Sequence, residues 1–190
     1  QNTIRYEEFV ESVDRVMLGP ARRSRLISDR EKELTAYHEA GHAVVGHLLP
    51  HADPVAKVTI VSRGSTGGHT RSLPKEDRHL WTLDQFKDMM AMAMGGRVSE
   101  ELNFGEVTTG ASNDLEQATN IARTMVTRYG MSRKLGPRTF GKREELVFLG
   151  REISEQRDYS DTVAETIDAE VHKLIDGAYK SAKKILVKHK

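Results

Sequence analysis

At 190 residues the chain has room for one domain of about 150 residues with roughly forty to spare, and its 37% hydrophobic and 30% charged residues fit a folded core, not a disordered segment. Its 29 basic and 28 acidic residues leave a net charge of +1, which excludes the broad positive field of a dedicated nucleic-acid binder. The absence of cysteine excludes disulfide scaffolds, thiolate metal sites and cysteine nucleophiles, so any metal must sit on His, Asp or Glu.

From Tyr6 to Met17, Phe9, Val10, Val13, Val16 and Met17 recur at three- and four-residue steps, which predicts one amphipathic helix stopped by Gly19-Pro20. A polar connector with Arg22, Arg23 and Arg25 follows and reads as a solvated boundary. Glu31 to Leu49 is rich in Ala, Leu and Glu, has no internal Pro and ends at Pro50, predicting a helix of about five turns. Val55–Val61 and Thr66–Leu73, separated by Ser62-Arg63-Gly64-Ser65, predict a hairpin or neighbouring strands, the second weakened by Gly67 and Gly68. Thr82 and Gln85 form a capping-box signal for a helix to about Leu102. Met89, Met90, Met92 and Met94 on it read as adaptable core packing, because no ligand-like histidine lies among them.

Ser112 or Asn113 is the predicted cap of a further helix reaching Tyr129, with Gly130 at its end. Met131 to Arg157 reads mostly as loop. Val163, Ile167, Val171, Leu174, Ala178, Ala182 and Ile185 then trace one stripe of a helix running from Asp161 towards the C-terminus. The predicted fold class is mainly α with a small β-sheet. No stretch approaches the roughly 18 apolar residues of a membrane span, and no leader-like segment opens the chain, so the piece is expected to be soluble. Its start at Gln1 points to an excised or processed form.

His38-Glu39-Ala40-Gly41-His42 matches H-E-x-x-H, in which two histidines four residues apart project from one helical face towards a single ion. Glu39, about 100° around the helix from His38, flanks the ion instead of ligating it, where a general base for an activated water belongs. His47 lies about 140° from His42 and is assigned to packing or solvent. Val45 and Leu48 occupy the positions where a metzincin carries Gly and its third His, so that class is rejected. A catalytic zinc needs a third protein ligand, and spacing leaves Glu100, Glu101, His69 and Asp114 as candidates. Asp114 is favoured, because a carboxylate in the first turn of a helix is stabilised as the anion.

These blocks, with Gly95-Gly96-Arg97-Val98-Ser99-Glu100-Glu101, Thr108-Thr109-Gly110-Ala111-Ser112-Asn113-Asp114-Leu115 and Phe148-Leu149-Gly150, resemble the FtsH family of AAA+ membrane-anchored, ATP-dependent zinc metalloproteases. The resemblance implies a zincin-like helical protease domain with one zinc on His38, His42 and Asp114, Glu39 as the catalytic residue and Glu100 behind a ligand. It further implies residues 1–19 as the end of the AAA+ lid, 20–30 as linker and 31–190 as the protease domain. ATP would act only through an upstream ATPase module, since G-x-x-x-x-G-K-S/T is absent here. The parent would be a homo-hexamer degrading unfolded or membrane proteins. It would be anchored in a bacterial inner membrane or an organellar membrane, with the protease on the cytoplasmic side. Gly67 and Gly68 are expected to let an extended substrate strand approach. Ser99 and His69 depart from the family's usual residues. The alternatives are a non-catalytic assembly or binding module with the same shape, and a zinc that only staples the fold.

Overall fold

The computed structural model describes residues 3–21, 27–63, 67–74, 76–143, 155–156 and 158–189. Arg22, Arg23, Arg25, Gly64, Ser65, Thr66 and Phe148-Leu149-Gly150 lie outside the described residues.

Local signals set most helix boundaries. Helix α1 (Tyr6–Leu18) ends at Gly19, whose φ of 89° suits a residue without Cβ. Helix α2 (Asp29–Leu48) begins two residues before its expected start, because the Ser28 side chain accepts a hydrogen bond from the Glu31 amide. Helix α3 (Leu83–Phe104) opens with the Thr82–Gln85 capping box and closes at left-handed Gly105. Helix α5 (Asp161–Lys188) is capped by Ser160 and, at 28 residues, is about 42 Å long.

Helix α4 (Ser112–Thr127) differs from expectation at both ends. A 3-10 turn, Thr109–Ala111, runs directly into it, and Thr108 supplies the side-chain cap of that turn by accepting from the Gly110 amide. Neither Ser112 nor Asn113 caps the helix; the residue in that position is Ala111, which makes no side-chain bond. At the other end Arg128 is the cap, and Gly130 (φ 60°) turns the chain two residues later.

Helix α3 is the central element, packed against α2, α4 and α5. Met90 and Met94 are buried with Val45, Val98, Met125 and Ile167, so two of the four methionines are core residues as the sequence implies, while Met89 and Met92 are half-buried. The predicted α5 stripe also holds: Ile167, Val171, Ala178 and Ala182 are buried and Val163, Leu174 and Ile185 pack against them. Strands β1 (Val55–Thr59) and β2 (His69–Ser72) form an antiparallel pair with Lys57 opposite Arg71, Val58 opposite Thr70 and Thr59 opposite His69. Both are shorter than expected, and β2 starts immediately after Gly68. Within the expected 131–157 loop, β3 (Lys142–Arg143) pairs with β4 (Glu155–Gln156). A two-residue ladder is too short to carry a readable period.

Helix α1 is attached by charge more than by apolar burial. Of its predicted stripe, Val10 and Val13 are half-buried, while Phe9, Val16 and Met17 are exposed. Asp14, by contrast, is fully buried and accepts hydrogen bonds from Lys57 and from Arg71, the latter at 2.7 Å. Those two cations sit opposite each other across β1 and β2, a pairing that is unfavourable unless an anion lies between them. Arg63 adds a 2.5 Å bond to Glu11 and a 3.3 Å bond to the Gly19 carbonyl. Burial alone would raise the Asp14 carboxyl, but Lys57 and Arg71 outweigh it and hold it below the ordinary value of 3.8.

A depressed carboxylate stabilises the docked state above its unfolded pKa, and that stabilisation is lost as pH falls through the folded value. Docking of α1 is therefore expected to persist to about pH 4 and weaken below it. Asp14→Ala leaves Lys57 and Arg71 uncompensated. Hydrogen exchange at neutral pH should show the α1 amides opening about tenfold or more faster, while α3 and α5 keep their protection; unchanged exchange in α1 would refute this account.

A candidate metal centre

Two helices crossing at glycine create the site. A Cβ on Gly41 would lie 2.3 Å from the Gly95 carbonyl oxygen, and one on Gly95 would lie 2.6 Å from the Gly41 carbonyl oxygen. Helices α2 and α3 therefore meet backbone to backbone, as only glycine allows. Gly96 then leaves open the volume that the two histidines fill: a Cβ there would be 2.4 Å from the His38 ring and 2.6 Å from His42 Nε2.

Each imidazole is oriented from behind. His38 Nδ1 donates to Glu100 Oε1 at 2.7 Å, and His42 Nδ1 donates to the Met92 carbonyl at 2.8 Å. Because both Nδ1 atoms face acceptors, the neutral rings direct Nε2 lone pairs forward. The two Nε2 atoms lie 3.0 Å apart, and Asp114 Oδ2 is 3.1 Å from one and 3.3 Å from the other. Three electron-rich atoms converging in a half-buried site repel one another unless a cation sits among them. All three lie within 4.8 Å of one another, so one ion can be shared. Two imidazoles and a carboxylate are a donor set that suits zinc and leave one position open. The fit is good on both chemistry and spacing.

The electrostatics favour a positive charge at that point, whether a proton on an imidazole Nε2 or a metal ion. Burial would raise Asp114, but hydrogen bonding and charge from His38 and His42 hold it down to about 2. Burial would lower His38, yet the Asp114 and Glu100 carboxylates raise it. Glu39 is buried, and that burial pushes its carboxyl above the ordinary glutamate value despite a 2.7 Å hydrogen bond from Thr70 Oγ1 to its Oε2.

Of the four candidates for the third ligand, the fold brings only Asp114 to the front of the histidines. Glu100 is behind His38, and it also ties down the following loop by accepting from the Thr108 amide at 2.6 Å. Glu101 turns away to Tyr179 and Lys183 on α5. His69 lies on the opposite face of β2, 3.9 Å from Asp14, where burial and the neighbouring cations hold it below the usual histidine value. His47 is exposed. Ser99, buried beside the α2–α3 crossing, donates to the Tyr37 carbonyl at 2.7 Å.

Gly68 has a different neighbour from the one expected. A Cβ there would lie 2.7 Å from the Thr59 carbonyl oxygen, 2.9 Å from Thr35 Cγ2 and 3.0 Å from Glu39 Cγ, so the close approach it permits is to its own chain. Gly67 has only ordinary contact with Thr35. Sequence reasoning did not pick out Thr70 or the spatial role of Gly96. Adjacent glycines inside α3, each costing about 1 kcal/mol relative to Ala, were the available signal for Gly96. A single threonine in a short strand carries none.

A helical domain whose H-E-x-x-H histidines converge with an acid from a second helix has a zincin-like fold and donor set. The comparison with known sequences is narrower: residues 25–190 match the sequence model of peptidase family M41, and the chain belongs to that family. The ATP-dependent zinc metalloprotease FtsH 1 of Sphaerobacter thermophilus is 62% identical over 189 residues, covering 100% of this chain and 29% of the relative. The ATP-dependent zinc metalloprotease FtsH of Chloroflexus aggregans is 59% identical over 187 residues, 96% of this chain and 28% of the relative. The corresponding protein of Veillonella parvula is 48% identical over 186 residues, 98% and 29% respectively. The chain thus spans about three-tenths of the length of these relatives.

Gly96→Ala places a methyl group where the imidazoles stand. It should weaken zinc binding by more than the roughly 10–100-fold typical of losing an outer hydrogen bond, measured by competition with a chromophoric chelator. Helix content by circular dichroism should stay near wild type; wild-type zinc affinity would show that Gly96 does not shape the site.

Proposed function

We propose that this chain is a zinc-dependent endopeptidase domain, with His38, His42 and Asp114 holding one zinc ion and Glu39 as the catalytic base. The observation that carries the reading is the convergence of three lone-pair donors, two from α2 and one from α4, beside a buried glutamate of α2. Bound there, zinc would supply Lewis acidity, polarising the scissile carbonyl and acidifying a water molecule. Glu39 takes the proton of the attacking water and delivers it to the leaving amine nitrogen, so one carboxylate acts first as base and then as acid. Its burial suits both roles, because a raised carboxyl holds a proton more firmly than an exposed one. Glu100 and the Met92 carbonyl keep His38 and His42 in the tautomer that presents Nε2 forward.

Substrate is proposed to bind as an extended strand alongside Gly67 and Gly68. Among the described residues β2 has a strand neighbour on one edge only, which leaves main-chain groups for a further strand on the other. Gly68 is committed to its own chain, so the test falls on its neighbour: Gly67→Val should raise peptide KM several-fold with kcat nearly constant, and an unchanged KM would remove Gly67 from the substrate path.

The relatives' names support placing the chain in an ATP-dependent protease. In this reading residues 1–19 are the end of an AAA+ lid, 20–30 a linker and 31–190 the protease domain. ATP acts through an upstream ATPase, six protomers form a ring, and unfolded polypeptides are delivered to the sites. The parent is anchored in a bacterial inner or organellar membrane with this domain on the cytoplasmic side. Among the described residues no helix is long and apolar enough to cross a membrane, so in this reading the anchor belongs to another part of the parent.

Unfolded casein tests the activity. Glu39→Gln should lower cleavage by about 10²–10⁴-fold while zinc content stays near one per chain; loss of zinc from that variant would show that Glu39 is a ligand. As a control, chelation should abolish cleavage and leave the helices of α3, α4 and α5 intact, whereas unfolding would favour a structural zinc.

A further inference from the structure

Alternation along β2 sends its side chains to two different places. His69 and Arg71 face Asp14 on α1, whereas Thr70 faces α2. Thr70 Oγ1 is 2.7 Å from Glu39 Oε2 and 3.0 Å from the Glu39 main-chain carbonyl. Among the described residues, the bond from Thr70 is the one hydrogen bond that the Glu39 carboxylate makes. The chain entering β2 also passes close to the stem of that side chain, since a Cβ on Gly68 would lie 3.0 Å from Glu39 Cγ. Glu39 is therefore flanked near Cγ by a residue with no side chain, Gly68, and held at Oε2 by the Thr70 hydroxyl.

We propose that Thr70 is a positioning residue for catalysis, acting through Glu39. A free glutamate side chain has several rotamers, and a base that must meet a proton within hydrogen-bond reach loses rate when it samples the others. With Oε2 engaged by the Thr70 donor, Oε1 is the oxygen left to take the proton. The missing side chain at Gly68 lets the strand lie close enough for that hydroxyl to reach. This inference rests on Glu39 being the base, as proposed above.

The test compares Thr70→Val, which keeps the shape and strand preference but removes the hydroxyl, with Thr70→Ser, which keeps the hydroxyl and removes the methyl. Each is measured in the zinc-loaded protein for kcat and KM on an unfolded peptide, and for zinc content. Thr70→Val should lower kcat about tenfold or more with KM and zinc content at wild-type values, and Thr70→Ser should recover kcat to within about twofold. In the Glu39→Gln background Thr70→Val should cause no further loss. An unchanged kcat in Thr70→Val, an equal loss in Thr70→Ser, or a further loss of the same size in the double variant would each overturn the proposal. Should Thr70→Val not fold, Thr70→Ala replaces it, read against the same Ser rescue. A Glu39→Gln protein that still cleaves would overturn both readings, whereas a silent Thr70→Val beside an inactive Glu39→Gln overturns this one alone.

Discussion

The crossing of α2 and α3 at Gly41 and Gly95 is the constraint on which the site depends. Side chains ordinarily hold helix axes 8–10 Å apart, and a methyl group at either position would collide with the carbonyl of the other helix. Direct backbone contact brings α3 near enough for the Met92 carbonyl to reach His42 Nδ1 and for Glu100 to reach His38 Nδ1. The same helix thus supplies the space for the imidazoles, at Gly96, and the acceptors that orient them. Packing and chemistry are not separable here, because the ligand tautomers are set by groups that only this crossing places within hydrogen-bond distance.

The strand pair completes the arrangement from the other side. Its two faces carry different chemistry, a cluster of cations towards α1 and a threonine towards α2. The cations opposite each other on β1 and β2 are compatible because buried Asp14 bridges them, so α1 contributes to the integrity of the pair that covers Glu39. A single antiparallel pair in isolation is marginally stable. Here it is held on one face by an ion cluster and on the other by close packing against α2, which is what lets four residues of strand define the environment of one carboxylate.

Much of the molecule was legible from sequence because its signals are local. The Thr82–Gln85 capping box, the stop at Gly19 and the α5 stripe each depend on residues a turn or two apart, and each was matched by an element of the expected type. Where reading failed, a neighbour in sequence was replaced by one in space. The expected cap at Ser112 or Asn113 gave way to a 3-10 turn capped at Thr108, whose own position is fixed by Glu100 of another helix. The amphipathic stripe of α1 was real as a pattern, yet the helix docks through Asp14, a residue off that stripe whose partners are 43 and 57 residues away.

The sequence alone determined the helix that bears His38, Glu39 and His42, since a fixed spacing on a helix of 3.6 residues per turn puts both imidazoles on one face whatever surrounds them. It also narrowed the third donor to four residues. Helix-terminus electrostatics favoured Asp114 among them, and the tertiary structure separated the four in space, turning Glu101 to α5, His69 to α1 and Glu100 behind His38, and leaving Asp114 in front. The tautomers, the tether on Glu39 and the need for glycine at 41, 95 and 96 were likewise decided in three dimensions. Each is a contact between residues some thirty to sixty positions apart, and contacts of that range leave no period in a chain.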